Sequence, residues 1–388
     1  MINFSLPYSF NIHDVDEIKS IVEKSSEKIN IEFYGSLNPT NFLMDGRGES
    51  ELTPTVDYDT LKYNVNYIQS KGFNFNYLIN APFYNNIELT RLGYKNILNH
   101  IEYLHSELNI NTFTVANIIL AEIINTNFKG VDVYISTIAG IDAISQVVDL
   151  KNKKFKKVVL KENRIRDFKF LQEVANIGGI EIELILNNHC YQDCVYRDLH
   201  YLSLTSKVPV NSYNYDFFTN SCLHRNAIEF LKVPIIRPED IDTYINIGIQ
   251  NFKVEGRTNI EKSNLTKFVQ AYIDRNYEGN IVELLYCFNT TFGSQYENFV
   301  IENKNLDGFL EFFIKEPYHC DLQCKYNCNY CNLYLDRIFN RTRNDNINNY
   351  VNEAYIKYGL FTEKKSFNEE SVLEILEVLD KQKNGEKY

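Results

Sequence analysis

The chain has 388 residues, 44% of them hydrophobic, and a net charge of −11 at pH 7. That length holds one large domain of roughly 250–300 residues plus a smaller one, and the acidic balance argues against a broad electrostatic grip on nucleic acid. No apolar run approaches the roughly 20 residues of a membrane helix, and the start MINFSLPYSFNIHDVDEI lacks the basic and apolar regions of a signal peptide, so a cytoplasmic protein with reduced thiols and no membrane partner is expected.

Short apolar runs read as strands at Phe4–Leu6, Ile31–Tyr34, Phe75–Asn80, Thr112–Ala116, Val131–Ser136, Lys157–Leu160, Ile180–Leu186, Val233–Ile236 and Phe252–Val254. Between them lie helical stretches, among them Asp14–Glu27, Asp57–Ser70, Glu88–Leu108, Ile138–Val148, Ile165–Ile177 and Ile260–Tyr272. Strands alternating with helices mean βαβ units and a mostly parallel sheet. The expected fold is α/β: a (β/α)8 TIM-like barrel over residues 1–279. A doubly wound sheet is the alternative, disfavoured because no Gly-rich turn follows the first strand. Residues 187–231 break the rhythm as a long polar loop at the C-terminal end of strand seven, where barrel active sites gather. Residues 280–388 form a C-terminal segment with apolar runs Val282–Phe288 and Phe309–Ile314, a cysteine-rich knot and a helix at Glu370–Leu379.

All eight cysteines lie between Cys190 and Cys331. Bunching at short gaps is how a chain wraps thiolates around a metal or an iron–sulfur cluster. Cys190, Cys194 and Cys222 fall on the long loop and read as ligands of a first cluster. Its fourth ligand is left open between Cys287, another group, and a vacant iron that takes substrate as a Lewis acid. Cys320, Cys324, Cys328 and Cys331, at gaps of three, three and two residues, suit a second centre held by one short loop. Iron–sulfur is preferred there over zinc, because four-cysteine zinc sites usually separate their two pairs by a dozen or more residues. Two [4Fe–4S] clusters are therefore expected, with zinc as the alternative at the second site. Cys324-x3-Cys328-x-Tyr330-Cys331 also fits the radical SAM spacing, but the residues that follow are too few for that enzyme's barrel.

Several charged residues are candidates for catalysis. His200 and Arg197 follow Cys194 and could supply a proton donor and an anion clamp. Arg237 and Glu239 sit where an apolar run meets a helix; capping explains them, and so does a place in the barrel mouth. Lys253, Glu255 and Arg257 alternate along one strand and so share a face. Two cations and one carboxylate there would suit a carboxylate- or phosphate-bearing substrate, with paired structural ions as the plain alternative. No H-E-x-x-H or G-x-S-x-G motif is present, so a peptidase site has weak support.

Several stretches together carry a resemblance: PYSFNIHDVDEI, IEFYGSL, YLINAPFYNNIELTRLGY, TVANIILAEII, IELILNNHCYQDC-x5-H, IIRPEDIDTYINIGI and FKVEGR. The chain resembles the peptidase U32 (collagenase-like) family over about residues 1–280, most specifically at Arg237–Asp240 and Lys253–Arg257. The resemblance implies a [4Fe–4S] cluster and oxygen-independent hydroxylation, or a related redox modification, of an anionic small molecule, a peptide or RNA. The better known branches carry a C-x6-C pair and a cysteine near Pro238–Tyr244, and this chain has neither. The reading that follows is an iron–sulfur enzyme served by an electron donor or partner enzyme. A metal-stabilised accessory protein is the alternative, and a U32-type peptidase a further one.

Overall fold

The computed structural model describes residues 1–37, 56–188, 190, 192–204, 231–256, 260–290, 300–315, 328–331 and 333–334. Eight parallel strands close into a barrel: β1 (Ile2–Pro7), β2 (Ile29–Gly35), β3 (Asn74–Ile79), β4 (Thr112–Val115), β5 (Asp132–Ile135), β6 (Lys157–Val159), β7 (Glu181–Ile185) and β8 (Asn251–Lys253). β8 returns to β1 with Ser5 opposite Lys253. Helices connect the strands: α1 (Ile12–Lys24), α2 (Tyr58–Ser70), α3 (Arg91–Leu108), α4 (Ile118–Asn127), α5 (Ile144–Asn152) and α6 (Phe168–Asn176). This is the (β/α)8 architecture expected from the alternation.

The alternation of side chains along each strand divides the molecule into two environments. Phe4, Leu6, Phe33, Phe75, Phe113, Val133, Val158, Leu184 and Phe252 face the helices and join the main core. Each helix answers with an apolar stripe: Leu61, Val65 and Ile68 on α2, and Ile97, Ile101, Leu104 and Leu108 on α3. Side chains of Asp57, Thr90, Asn117 and Asp167 cap the starts of α2, α3, α4 and α6, satisfying backbone donors that have no partner within the helix.

The opposite face of the strands is polar. Ser5, Glu32, Asn76, Thr114, Lys157, Glu183 and Lys253 are all buried. Ser5 on β1 donates to Glu32 on β2 (3.1 Å) and to Glu183 on β7 (2.8 Å), past the intervening β8. Only the barrel interior allows that reach. Asn76 donates to Glu32 (2.9 Å), Thr114 to Asn76 (3.0 Å) and Lys157 to Glu183 (3.2 Å). Burial alone would raise the Glu183 pKa, but the ammonium groups of Lys157 and Lys253 outweigh it and hold the carboxyl below its usual range.

Val233–Ile236 is not a barrel strand. It forms one isolated bridge, Ile235 to Asn187, while β7 pairs directly with β8. Its apolar residues are buried as core filling, and periodicity alone cannot separate that from a strand in so short a run. Beyond residue 279, Ile281, Leu284, Leu285, Ile301, Leu306, Phe309 and Phe313 belong to the same core as the barrel. The helix expected at Glu370–Leu379 lies outside the described residues. Among the described residues no helix is long and apolar enough to cross a membrane.

Candidate functional site at the barrel mouth

Among the described residues, several reactive side chains gather at the C-terminal end of β7. Asn187 ties β7 to the end of β8: its Oδ1 accepts from the Glu255 N–H (2.7 Å), and its Nδ2 donates to the Glu255 carbonyl (2.8 Å) and the Leu285 carbonyl (3.1 Å). Glu255 is thereby fixed at the rim, where its Oε2 is buried with no hydrogen-bond partner among the described residues. Asn188 is fully buried. Its Oδ1 accepts from the Cys190 N–H (2.8 Å), an Asx turn that sets the direction of the cysteine loop. The Nδ2 of Asn188 has no partner among the described residues.

The loop is then clamped to the neighbouring rim. Gln192 donates to the Asn163 carbonyl (2.9 Å), and Asn163 donates to Asp193 (3.0 Å). Helix α7 (Arg197–Leu204) follows Cys194, and Arg197 anchors it. The guanidinium grips Glu162, beyond β6, with Nε–Oε1 at 2.5 Å and Nη2–Oε2 at 3.0 Å, and donates to the Thr137 carbonyl, beyond β5, at 2.7 Å. The two side chains are 4% and 0% exposed, so this is a bidentate pair shielded from water, whose fork geometry fixes the orientation of the helix. Burial opposes the Arg197 charge, yet Glu162 pushes its pKa above the ordinary value.

Tyr201, one turn on, lies 4.9 Å from the Arg197 guanidinium, measured to the ring centroid. Burial pushes its hydroxyl pKa well up, and Cys190, Glu255 and Glu162 add to the effect. These groups therefore share one neighbourhood: a thiol, two carboxyls, a guanidinium and a phenol at the mouth. Such clustering of titratable groups marks functional sites. His200 is partly exposed and stacks on Tyr201, with centroids 6.1 Å apart.

The other candidate residues fall elsewhere. Arg237 pairs with Asp240 (2.8 Å) and Asp307 (3.0 Å) and donates to the Asn303 carbonyl (2.9 Å). Glu239 accepts from the Tyr277 N–H and the Asn303 Nδ2, each at 2.9 Å, and pairs with Lys304 at 3.2 Å. Burial raises the Glu239 pKa, but those donors outweigh it and hold the carboxyl low. Both residues thus tie residues 303–307 onto the barrel. Lys253 lies inside the barrel, its Nζ 3.6 Å from the Tyr34 ring centroid, and it acts on Glu183 from within. Cys287 is buried against Asn187 (3.1 Å) and the Glu255 carbonyl (3.4 Å), and burial pushes its thiol pKa up. Arg257, Cys222, Cys320 and Cys324 lie outside the described residues. Cys328 and Cys331 flank Tyr330, which packs on Phe309, Phe312 and Phe313. No described cysteine is in a disulfide. Among the described residues no three His, Cys, Asp or Glu side chains are grouped to hold a metal ion.

Sequence reasoning passed over Glu162, Asn188 and Tyr201. Glu162 had a usable signal, since it closely follows a strand at the functional end of a barrel. Asn188 and Tyr201 had none beyond proximity to Cys190 and Arg197.

No protein-family model matches the chain. An uncharacterized protease of Methanocaldococcus jannaschii is 24% identical over 331 residues, covering 82% of this chain and 92% of that protein. A U32 peptidase of known structure covers 66% of this chain and 93% of its own, with a TM-score of 0.47 and 15% identity. The chain is similar over most of its length to a protein named as a protease.

Proposed function

We propose that this chain is a U32-type barrel protein that holds an iron–sulfur cluster at its mouth and carries out an oxygen-independent hydroxylation or related redox modification. The observation that carries the reading is the anchoring of the cysteine loop. Cys190 and Cys194 leave the C-terminal end of β7 on a segment pinned through Asn188, Gln192 and Arg197. A thiolate-held cluster needs sulfurs fixed on a rigid frame. Two undisulfided thiols on this pinned segment fit that requirement, and Cys222 is the third ligand in this reading. Bound there, the cluster would supply one-electron chemistry or an open iron.

The chain's own residues have separate duties at this mouth. Arg197 with Glu162 orients α7 beside the cysteine loop. Glu255 Oε2 and Asn188 Nδ2, without partners among the described residues, supply one acceptor and one donor for a substrate. Buried polar atoms of that kind cost free energy until a ligand satisfies them. Arg257 and His200 remain candidates for the substrate's charged end and for proton transfer, while Lys253 acts on Glu183 within the barrel.

Anaerobic purification followed by iron and sulfide counts tests the reading. Iron and acid-labile sulfide in equal amounts are expected. A protein without iron that cleaves peptides, and loses that activity on thiol alkylation, would replace it with proteolysis, the activity in the archaeal relative's name.

A further inference from the structure

Tyr330 occupies an aromatic seat. Its ring stacks on Phe312 with centroids 4.1 Å apart and planes at 11°, and on Phe309 at 5.5 Å and 16°. It meets Phe313 edge-on at 5.6 Å. Its hydroxyl donates to the Phe309 carbonyl (2.8 Å), and the Tyr334 hydroxyl donates to the Asp307 carbonyl (2.8 Å). Stacked and edge-on aromatic contacts each add about 0.5–1.5 kcal/mol beyond area burial. The segment that carries Cys328 and Cys331 is therefore held by Tyr330, which stands between the two cysteines.

Arg166 also contacts this seat. Its guanidinium lies 5.1 Å from the Phe309 centroid and 5.5 Å from that of Phe313. The same group donates to the Leu231 carbonyl (2.8 Å) and the Val233 carbonyl (2.7 Å). Arg166 is buried, so the contacts it makes to protein cannot be replaced by water. Leu231–Val233 is the returning end of the insertion whose outgoing end holds Cys190 and Cys194. Three residues further on, the Ile236 N–H donates to the Leu186 carbonyl at the exit of β7 (2.8 Å). A continuous set of contacts thus runs from Tyr330, through Phe309 and Phe313, to Arg166 and the insertion.

We propose that the stretch bearing Cys328, Tyr330, Cys331 and Tyr334 is a metal-responsive strap. A soft divalent ion taken up through Cys328 and Cys331 holds Tyr330 in its seat, and Arg166 passes that restraint to the returning end of the insertion. A C-x2-C pair takes zinc or another thiophilic ion, which is the alternative to iron–sulfur at these cysteines. Tyr330 lies inside the chelate, so seating the ring and fixing the two sulfurs order the same backbone. By linkage, what the metal adds to seating, seating adds to metal affinity. The inference rests on the metal-binding reading of the C-terminal cysteines and is independent of the iron–sulfur reading at the mouth.

The test is hydrogen exchange on the full chain, with and without zinc, alongside zinc affinity from competition with a chromophoric chelator. Zinc should slow exchange in residues 231–236 as well as in 309–315. Cys328→Ala with Cys331→Ala should remove both effects, which separates them from any zinc held at the mouth. Tyr330→Ala should weaken zinc binding by about 5- to 150-fold, the usual range of coupling between sites. Arg166→Met should keep the protection at 309–315 and lose it at 231–236. Protection confined to 309–334 in the unaltered chain overturns the coupling, as does protection at 231–236 that survives loss of both cysteines. Unchanged zinc affinity in Tyr330→Ala overturns the role of the seat.

Discussion

His100 on α3 meets Tyr77 edge-on, with ring centroids 6.2 Å apart, and its Nε2 is buried without a hydrogen-bond partner among the described residues. Burial alone lowers its pKa to about 4. The unfolded chain would bind a proton near the ordinary pH of 6.5, and the folded chain refuses it until about pH 4. Stability from this group is therefore complete above pH 6.5 and falls as the pH drops toward 4, by up to about 3 kcal/mol. His100→Gln should flatten the acid side of a plot of urea midpoint against pH. An unchanged slope would place the acid sensitivity elsewhere. Glu162 gives a second case. Glu162→Ala leaves the buried Arg197 charge with only the exposed Asp198 carboxylate, at 3.4 Å, as its ionic partner among the described residues and should cost about 3–5 kcal/mol in urea unfolding. His100 does not advertise its role in the sequence, and Glu162 shows only its place just after a strand, because burial and partners arise only when distant strands meet.

At the scale of elements, caps and glycines decide where helices start. Thr90 caps α3 by accepting from the Gly93 N–H (3.0 Å). A Cβ at Gly93 would fall 1.9 Å from the Ile87 carbonyl oxygen, in the turn just before the helix. Gly93→Ala should displace that turn and cost about 1–3 kcal/mol, the usual price of overpacking. A thermal melt within about one degree of the parent would show that the turn yields freely. The strands and the first helices were legible because their apolar periods differ, two against nearly four. The insertion after β7 was legible as a break in that rhythm. Val233–Ile236 was not, since a short β-branched run fits a strand and a buried connector equally well. Arg237 and Glu239 read equally as caps or mouth residues, and only their contacts with Asn303, Lys304 and Asp307 show what holds them.

At the scale of the whole molecule, the barrel is inverted relative to a simple oil-filled interior: its apolar mass lies outside the strands and its ions lie within. Lys157 and Glu183, 5% and 2% exposed, should be costly to separate. Glu183→Leu alone should destabilise by about 3–5 kcal/mol, and Lys157→Met with Glu183→Leu by much less, since replacing both partners of a buried pair is often neutral. If the double variant is as unstable as the single one, the interior network rather than the pair carries the stability. The polar strand positions stood in plain sight in IEFYG and EIELI. Their partners across the barrel could not be assigned without its closure and register. The mouth above this interior is where the account is most exposed to test. The direct measurement is electron paramagnetic resonance of anaerobically purified, dithionite-reduced protein, beside Cys190→Ala and Cys194→Ala. A cluster signal whose intensity falls in both variants, with the iron content falling in step, is the predicted result. A signal and iron content that both variants keep unchanged, or no iron in the parent protein, would contradict a cluster at the barrel mouth.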